Sequence, residues 1–152
     1  MLKRILPVTI GNSFGGHPLA IWVMIPILLI KVTMGATSMF AGQLAARGAH
    51  KVSLDAFSPE ARQMLVLALG RAGLSTVVVA LFCALALVRY RAMIPVAYVL
   101  MLVEQTGRAY LMLREATVTG KSSATVVNFV LLGLTVIGLV ASLCGNSEAK
   151  GV

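Results

Sequence analysis

Charge is scarce in this chain. Charged residues make up 12% of its 152 positions, against roughly 25% in soluble domains. With 59% hydrophobic residues, a water-soluble domain of this length would expose more apolar surface than it could keep monodisperse. The bilayer is therefore the expected solvent. Acids are scarcer still: five, against thirteen Lys and Arg, for a net charge of +8. These bases are scattered along the chain and form no single block, which argues against a nucleic-acid partner. Beside apolar spans they meet lipid headgroups and settle topology.

There are two cysteines, Cys83 and Cys144, and two histidines, His17 and His50. No CxxC or Cys/His cluster is present, so neither a metal site nor a disulfide framework is expected. Both cysteines read as small buried hydrophobes, and His17, at a helix entrance, reads as structural. HExxH, GxSxG, P-loop and paired-carboxylate patterns are missing as well, so no catalytic residue and no cofactor are assigned. After Met1-Leu-Lys-Arg only Ile5 and Leu6 precede Pro7. A signal peptide needs an apolar stretch of roughly 7–15 residues there, and the first span is expected to be a retained anchor.

What the chain does have is apolar length. Four spans are expected, at roughly 19–40, 65–88, 92–113 and 124–143, each long enough for a hydrocarbon core of about 30 Å. The fold class is an all-α integral membrane protein, a single domain over 1–152 with four transmembrane helices in an antiparallel bundle. Trp22 suits an interfacial anchor, and Pro26 is expected to kink the first span. Gly35, Ala36, Ser38 and Gly42 form a small-residue face that permits close helix contact. The connection from Ala41 to Met64 is the longest, and Ser58-Pro59-Glu60 near its end is a helix start: an N-cap, a proline at the first position and an acid in the first turn. Arg89-Tyr90-Arg91 makes a tight link, so the second and third spans are antiparallel neighbours. Basic residues divide evenly between the two sides. The compact arginine hairpin and the basic N-terminus favour both termini on the cytoplasmic side of a bacterial-type plasma membrane.

The third span, AMIPVAYVLMLVEQTGRAYLML, is the informative one, because it carries Glu104, Gln105 and Arg108. Charges inside a span are costly and need an explanation. At 1.5 Å per residue, Glu104 and Lys31 lie at about the same depth, roughly 14 Å from one face of the bilayer. Arg71 and Arg108 sit roughly 8–9 Å from that face. Glu104 and Arg108, four apart, share a helix face and can pair, while Tyr98 and Gln105 line a neighbouring stripe. Lys31 is expected to meet Glu104, with the two arginines ringing an opening. The candidate binding residues are thus Lys31, Arg71, Glu104, Arg108, Gln105 and Tyr98.

The plan of about 150 residues, four spans, a longer first loop and a tight arginine hairpin resembles small bacterial four-helix membrane families such as the DoxX-like proteins. The resemblance is architectural and carries no diagnostic motif. Small multidrug transporters also have four spans and one membrane glutamate, but theirs lies in the first helix, where this chain has Lys31.

Three readings follow. The preferred one is a non-enzymatic accessory or scaffolding subunit, docked on another membrane protein or on itself through small-residue faces and uncompensated positive charge. The second is a binder of, or enzyme acting on, an anionic lipid or amphiphile, which requires a cavity between spans one, two and three. The third is a small proton-coupled transporter using Glu104; inverted repeats would support it, and none is visible.

Overall fold

The computed structural model describes residues 12, 14–48, 54–119 and 123–144. The N-terminal bases, His50, Lys51, Gly120, Lys121 and the residues from Gly145 onward lie outside the described residues. Among the described residues the chain is all helical: α1 is Leu19–Phe40, α2 Gly42–Gly48, α3 Pro59–Val88, α4 Ile94–Thr119 and α5 Ser123–Leu143. Short 3-10 turns occupy Leu54–Ala56 and Arg91–Met93. Three helices are long and apolar enough to cross a membrane: α1, α3 and the Thr125–Leu143 part of α5. The protein is membrane-embedded. α4 has the length but not the composition, since Glu104, Gln105 and Arg108 interrupt it.

Local chemistry sets the helix ends. Ser58 caps α3, its Oγ accepting from the Ala61 amide at 3.3 Å, and Pro59 takes the first position, where a missing N–H costs nothing. At thirty residues α3 is about 45 Å long, more than a hydrocarbon core of about 30 Å requires. Its first turns therefore project beyond the apolar stretch. α1 runs unbroken over Pro26 and leaves helical geometry at Ala41, whose amide donates to the Thr37 carbonyl at 2.9 Å. α4 starts at Ile94, with Pro95 in its unpaired first turn, and runs past residue 113 to Thr119. A change from apolar to polar side chains ends the apolar stretch without breaking the backbone ladder.

Glycine seams govern packing. Gly35 of α1 and Gly73 of α3 face each other: a Cβ at Gly73 would lie 2.6 Å from the Gly35 carbonyl oxygen and 2.9 Å from the Met39 amide nitrogen. Further along, Gly42 meets Val66, so contacts descend α3 as they ascend α1. α1–α3 is the most extensive helix pair of the molecule. On the other side Gly138 of α5 receives the ring of Tyr98, which a Cβ there would overlap. Between these seams lies a core that includes Met24, Ile27, Ala80, Cys83, Ile94 and Met101. Large apolar side chains such as Trp22, Leu29, Leu81, Val130 and Ile137 point outward and are exposed, an arrangement suited to lipid and not to water.

Cys83 is buried, but Cys144 is exposed, because the chain leaves α5 at Leu143. The expectation that both cysteines are buried therefore holds for one of them.

The seam gives a signed prediction. Gly73→Ala should destabilise the purified protein by about 1–3 kcal/mol, since backbone stands on both sides of the new methyl. Gly133→Ala, which meets nothing within 4 Å, should be neutral or stabilise by up to about 1 kcal/mol. Thermal unfolding in detergent checks both; equal effects would show that the α1–α3 contact is looser than described.

Candidate functional site

Three helices bring polar side chains to one point. Lys31 of α1 donates to Glu104 Oε2 of α4 at 2.5 Å. Glu104 Oε1 accepts from Nη2 of Arg108, one turn along the same helix, at 2.9 Å. The same Nη2 donates to Oγ1 of Thr76 on α3 at 2.6 Å, and Thr76 in turn donates to the Ala72 carbonyl at 3.0 Å. Both Nη2 hydrogens of Arg108 are thus spent, whereas Nε and Nη1 carry three further N–H donors. Lys31 is 3% exposed, while the side chains of Glu104 and Arg108 are 15% and 31% exposed. The lysine is sealed behind the glutamate, and the arginine stands at an opening.

That opening is a cavity of about 640 Å³ walled by α1, α2, α3 and α4, inside the usual range for small-molecule sites of about 300–1,000 Å³. It follows α4 from Glu104 to Met112, about 12 Å. Thr76, Glu104 and Arg108 mark its polar end; Leu44, Leu111 and Met112 line the remainder. Thr33 and Thr37 also reach the wall, but their hydroxyls donate back to the Leu29 and Thr33 carbonyls at 2.8 Å each. Hydroxyls that turn back onto their own helix leave a mostly apolar surface.

The remaining candidates fall elsewhere. Tyr98 is fully buried and donates to the Ala20 carbonyl at 2.6 Å. Gln105 donates through Nε2 to Thr135 Oγ1 at 3.1 Å, and its own backbone carbonyl accepts from Asn128 at 3.5 Å. Its Oε1 is buried without a hydrogen-bond partner among the described residues. Neither residue lines the cavity; both join α4 to its neighbours on another face. Arg71 is exposed and lies off the cavity wall. It is five residues from Thr76, about 140° around α3, so the opening is not ringed by two arginines.

Two contributors have no counterpart in the sequence reading. Thr76 is one, and its only signal is a hydroxyl, beside that of Ser75, at about the depth of Glu104. The other is α2, which supplies Leu44, Ala45 and Gly48 to the wall from a stretch expected to be loop. The end of α2 is linked to the start of α3 through Asp55, which accepts from Arg47 at 3.2 Å and Arg62 at 2.7 Å. Such exposed pairs contribute about 0–1 kcal/mol each. His17 Nδ1 accepts from the Leu19 amide at 3.2 Å, at the entrance to α1. Among the described residues no three His, Cys, Asp or Glu side chains gather as metal ligands.

Compared with models of known protein families, with characterised proteins and with solved structures, the chain matches none.

A double-mutant cycle tests the cluster. Glu104→Gln leaves Lys31 buried without an anion and should cost about 3–5 kcal/mol. Adding Lys31→Met removes the stranded charge, and the pair should cost less than the sum of the two singles by at least about 1 kcal/mol. Additive losses in detergent unfolding curves would mean that the two residues do not interact.

Proposed function

We propose that this is a four-span protein of a bacterial-type plasma membrane that binds an amphiphile with an anionic head in the cleft between α1, α3 and α4. The supporting observation is the unspent Nε and Nη1 donors of Arg108 at the polar end of a largely apolar cavity. An amphiphile matches both halves of that surface: an oxyanion accepts charge-assisted bonds from the remaining N–H groups of Arg108, and the apolar walls suit a hydrocarbon body. The reading is a binder and not a catalyst, because Glu104 is already engaged by two bases. Counting α4 as the fourth span is supported by its place in the bundle. Glu104, Gln105 and Arg108 turn towards α1, α5 and α3, so lipid need not meet these three. The antiparallel arrangement is supported by contact order, Cys83 with Ala97 and Thr76 with Arg108. The arginine hairpin supports cytoplasmic termini.

An accessory-subunit role remains a second reading, on one observation. Arg71 is exposed within an outward stripe of α3 that includes Leu67, Leu74, Val78 and Leu81. A cation there suits an acid on a partner helix. The Gly35–Gly73 seam no longer supports such docking, since it is occupied within the chain.

Native mass spectrometry of protein extracted gently from its own membrane separates the two. The proposal expects a retained anionic amphiphile, lost on Arg108→Gln while the fold is kept. A second polypeptide at fixed stoichiometry, lost on Arg71→Leu and insensitive to Arg108→Gln, would replace it with the accessory role. Proton transport abolished by Glu104→Gln would overturn both.

A further inference from the structure

The amphiphile reading leaves the head undefined, and the charge of the cluster defines it. Lys31 and Arg108 bring two positive charges and Glu104 one negative. Of the other acids, Glu115 stands on α4 about 10 Å along the helix beyond Arg108, and the two whose side chains are described lie elsewhere. Asp55 lies between Arg47 and Arg62, and Glu60 is in the first turn of α3, about 24 Å along the helix from Thr76. Lys31 is about 18 Å from one end of α1 and about 13 Å from the other, and Glu104 is about 15 Å from the start of α4. Lys31, Glu104 and Arg108 therefore carry a net single positive charge, with Lys31 and Glu104 near mid-depth and Arg108 one turn shallower, still inside the span, where an uncompensated charge is costly.

We infer that the ligand's head is a singly charged oxyanion that brings this cluster to neutrality, an assignment that rests on the amphiphile-binding reading above. A neutral head would leave the excess positive charge in place. A dianion would replace it with an excess negative one. Only a monoanion removes the excess, and the free Nε and Nη1 N–H groups of Arg108, on different edges of the guanidinium, can each donate a charge-assisted bond to an oxygen of the head. Carboxylates and phosphodiesters share that chemistry. Lys31 selects the head without touching it: it is sealed behind Glu104 and absent from the cavity wall. Its charge alone makes the cluster positive, because Glu104 and Arg108 without it are neutral.

The test uses the full chain in neutral maltoside micelles, with four single-chain probes competing against labelled dodecanoate. These are dodecanoate, dodecyl phosphate, dodecanol and a lyso-phosphatidylglycerol. At about pH 8.5 dodecyl phosphate is dianionic, since its second pKa lies near 6. The wild-type protein should hold one or both monoanions at least about tenfold more tightly than dodecyl phosphate or dodecanol, the scale of one charged hydrogen bond. Preference for dodecanoate would point to a free carboxylate, and preference for the lyso-lipid to a membrane phosphodiester; either supports the single charge. Lys31→Met, which leaves the Glu104–Arg108 pair and the free Arg108 donors intact, should bring dodecanoate and dodecanol within about threefold of each other. A wild-type protein that binds dodecyl phosphate as tightly as dodecanoate would overturn the inference but keep the cleft as an anion site. So would a Lys31→Met variant with unchanged preference, since Arg108 would then suffice by itself. If wild type binds none of the four, the amphiphile reading fails and takes this inference with it. Should Lys31→Met not fold, the wild-type ranking decides alone.

Discussion

The structure depends on holding Lys31 and Glu104 at mid-depth, with Arg108 one turn shallower, in a bundle with little other charge to spend. Each of these groups alone would be expensive to bury. Together they form a chain of charge-assisted hydrogen bonds that runs from α1 through α4 to Thr76 on α3. The cost of stranding any one of them falls on the whole arrangement, because an unpaired buried charge is more damaging than a missing pair. That asymmetry gives the bundle its register. Hydrophobic contact alone would tolerate a helix sliding by a turn, since one aliphatic face resembles the next. A shift of α4 by one turn, about 5.4 Å, would pull Glu104 away from Lys31.

The cleft follows from how the other contacts are distributed. Glycines let α1 and α3 approach until backbone meets backbone at Gly35 and Gly73. α4 is fastened on its other side: Tyr98 fills the space at Gly138 and reaches the Ala20 carbonyl, and Gln105 reaches Thr135. Near the hairpin, α3 and α4 touch through Cys83 and Ala97. Farther from it, the long side chain of Arg108 spans to Thr76, and beyond that point the walls are lined by Leu69, Leu111 and Met112. A tight seam on one side and a fastened helix on the other leave space between them, and Arg108 stands where that space begins.

Some of this was legible from residue types and counting. The limits of α1, the Ser58 cap and the meeting of Lys31 with Glu104 all follow from helix rise, capping chemistry and the i,i+4 rule. Those rules act along a helix axis. What could not be read was direction around it. Arg71 shares the depth of Arg108, but its side chain leaves α3 on the opposite side from Thr76. Azimuth depends on which face a helix buries, and α3 is apolar nearly all round, so its sequence names no face. The small residues at Gly35 and Gly42 marked a contact surface correctly but could not say whose; it belongs to α3. α2 escaped because seven residues bounded by glycine carry too little periodicity to separate from loop.

The same geometry bears on why Arg108 is not simply a snorkelling cation. An arginine near a span end reaches the headgroups by extending its stem along the helix towards the interface. Arg108 does the reverse: its Nη2 turns inward, to Glu104 one turn back on α4 and to Thr76 on α3, and the side chain keeps only partial exposure. Glu104 by itself does not require this, since Lys31 already neutralises it at 2.5 Å. A second cation beside that neutral pair leaves the three groups with a net positive charge. Under the amphiphile-binding proposal, the inward arginine is half of an interaction whose other half arrives through the cavity.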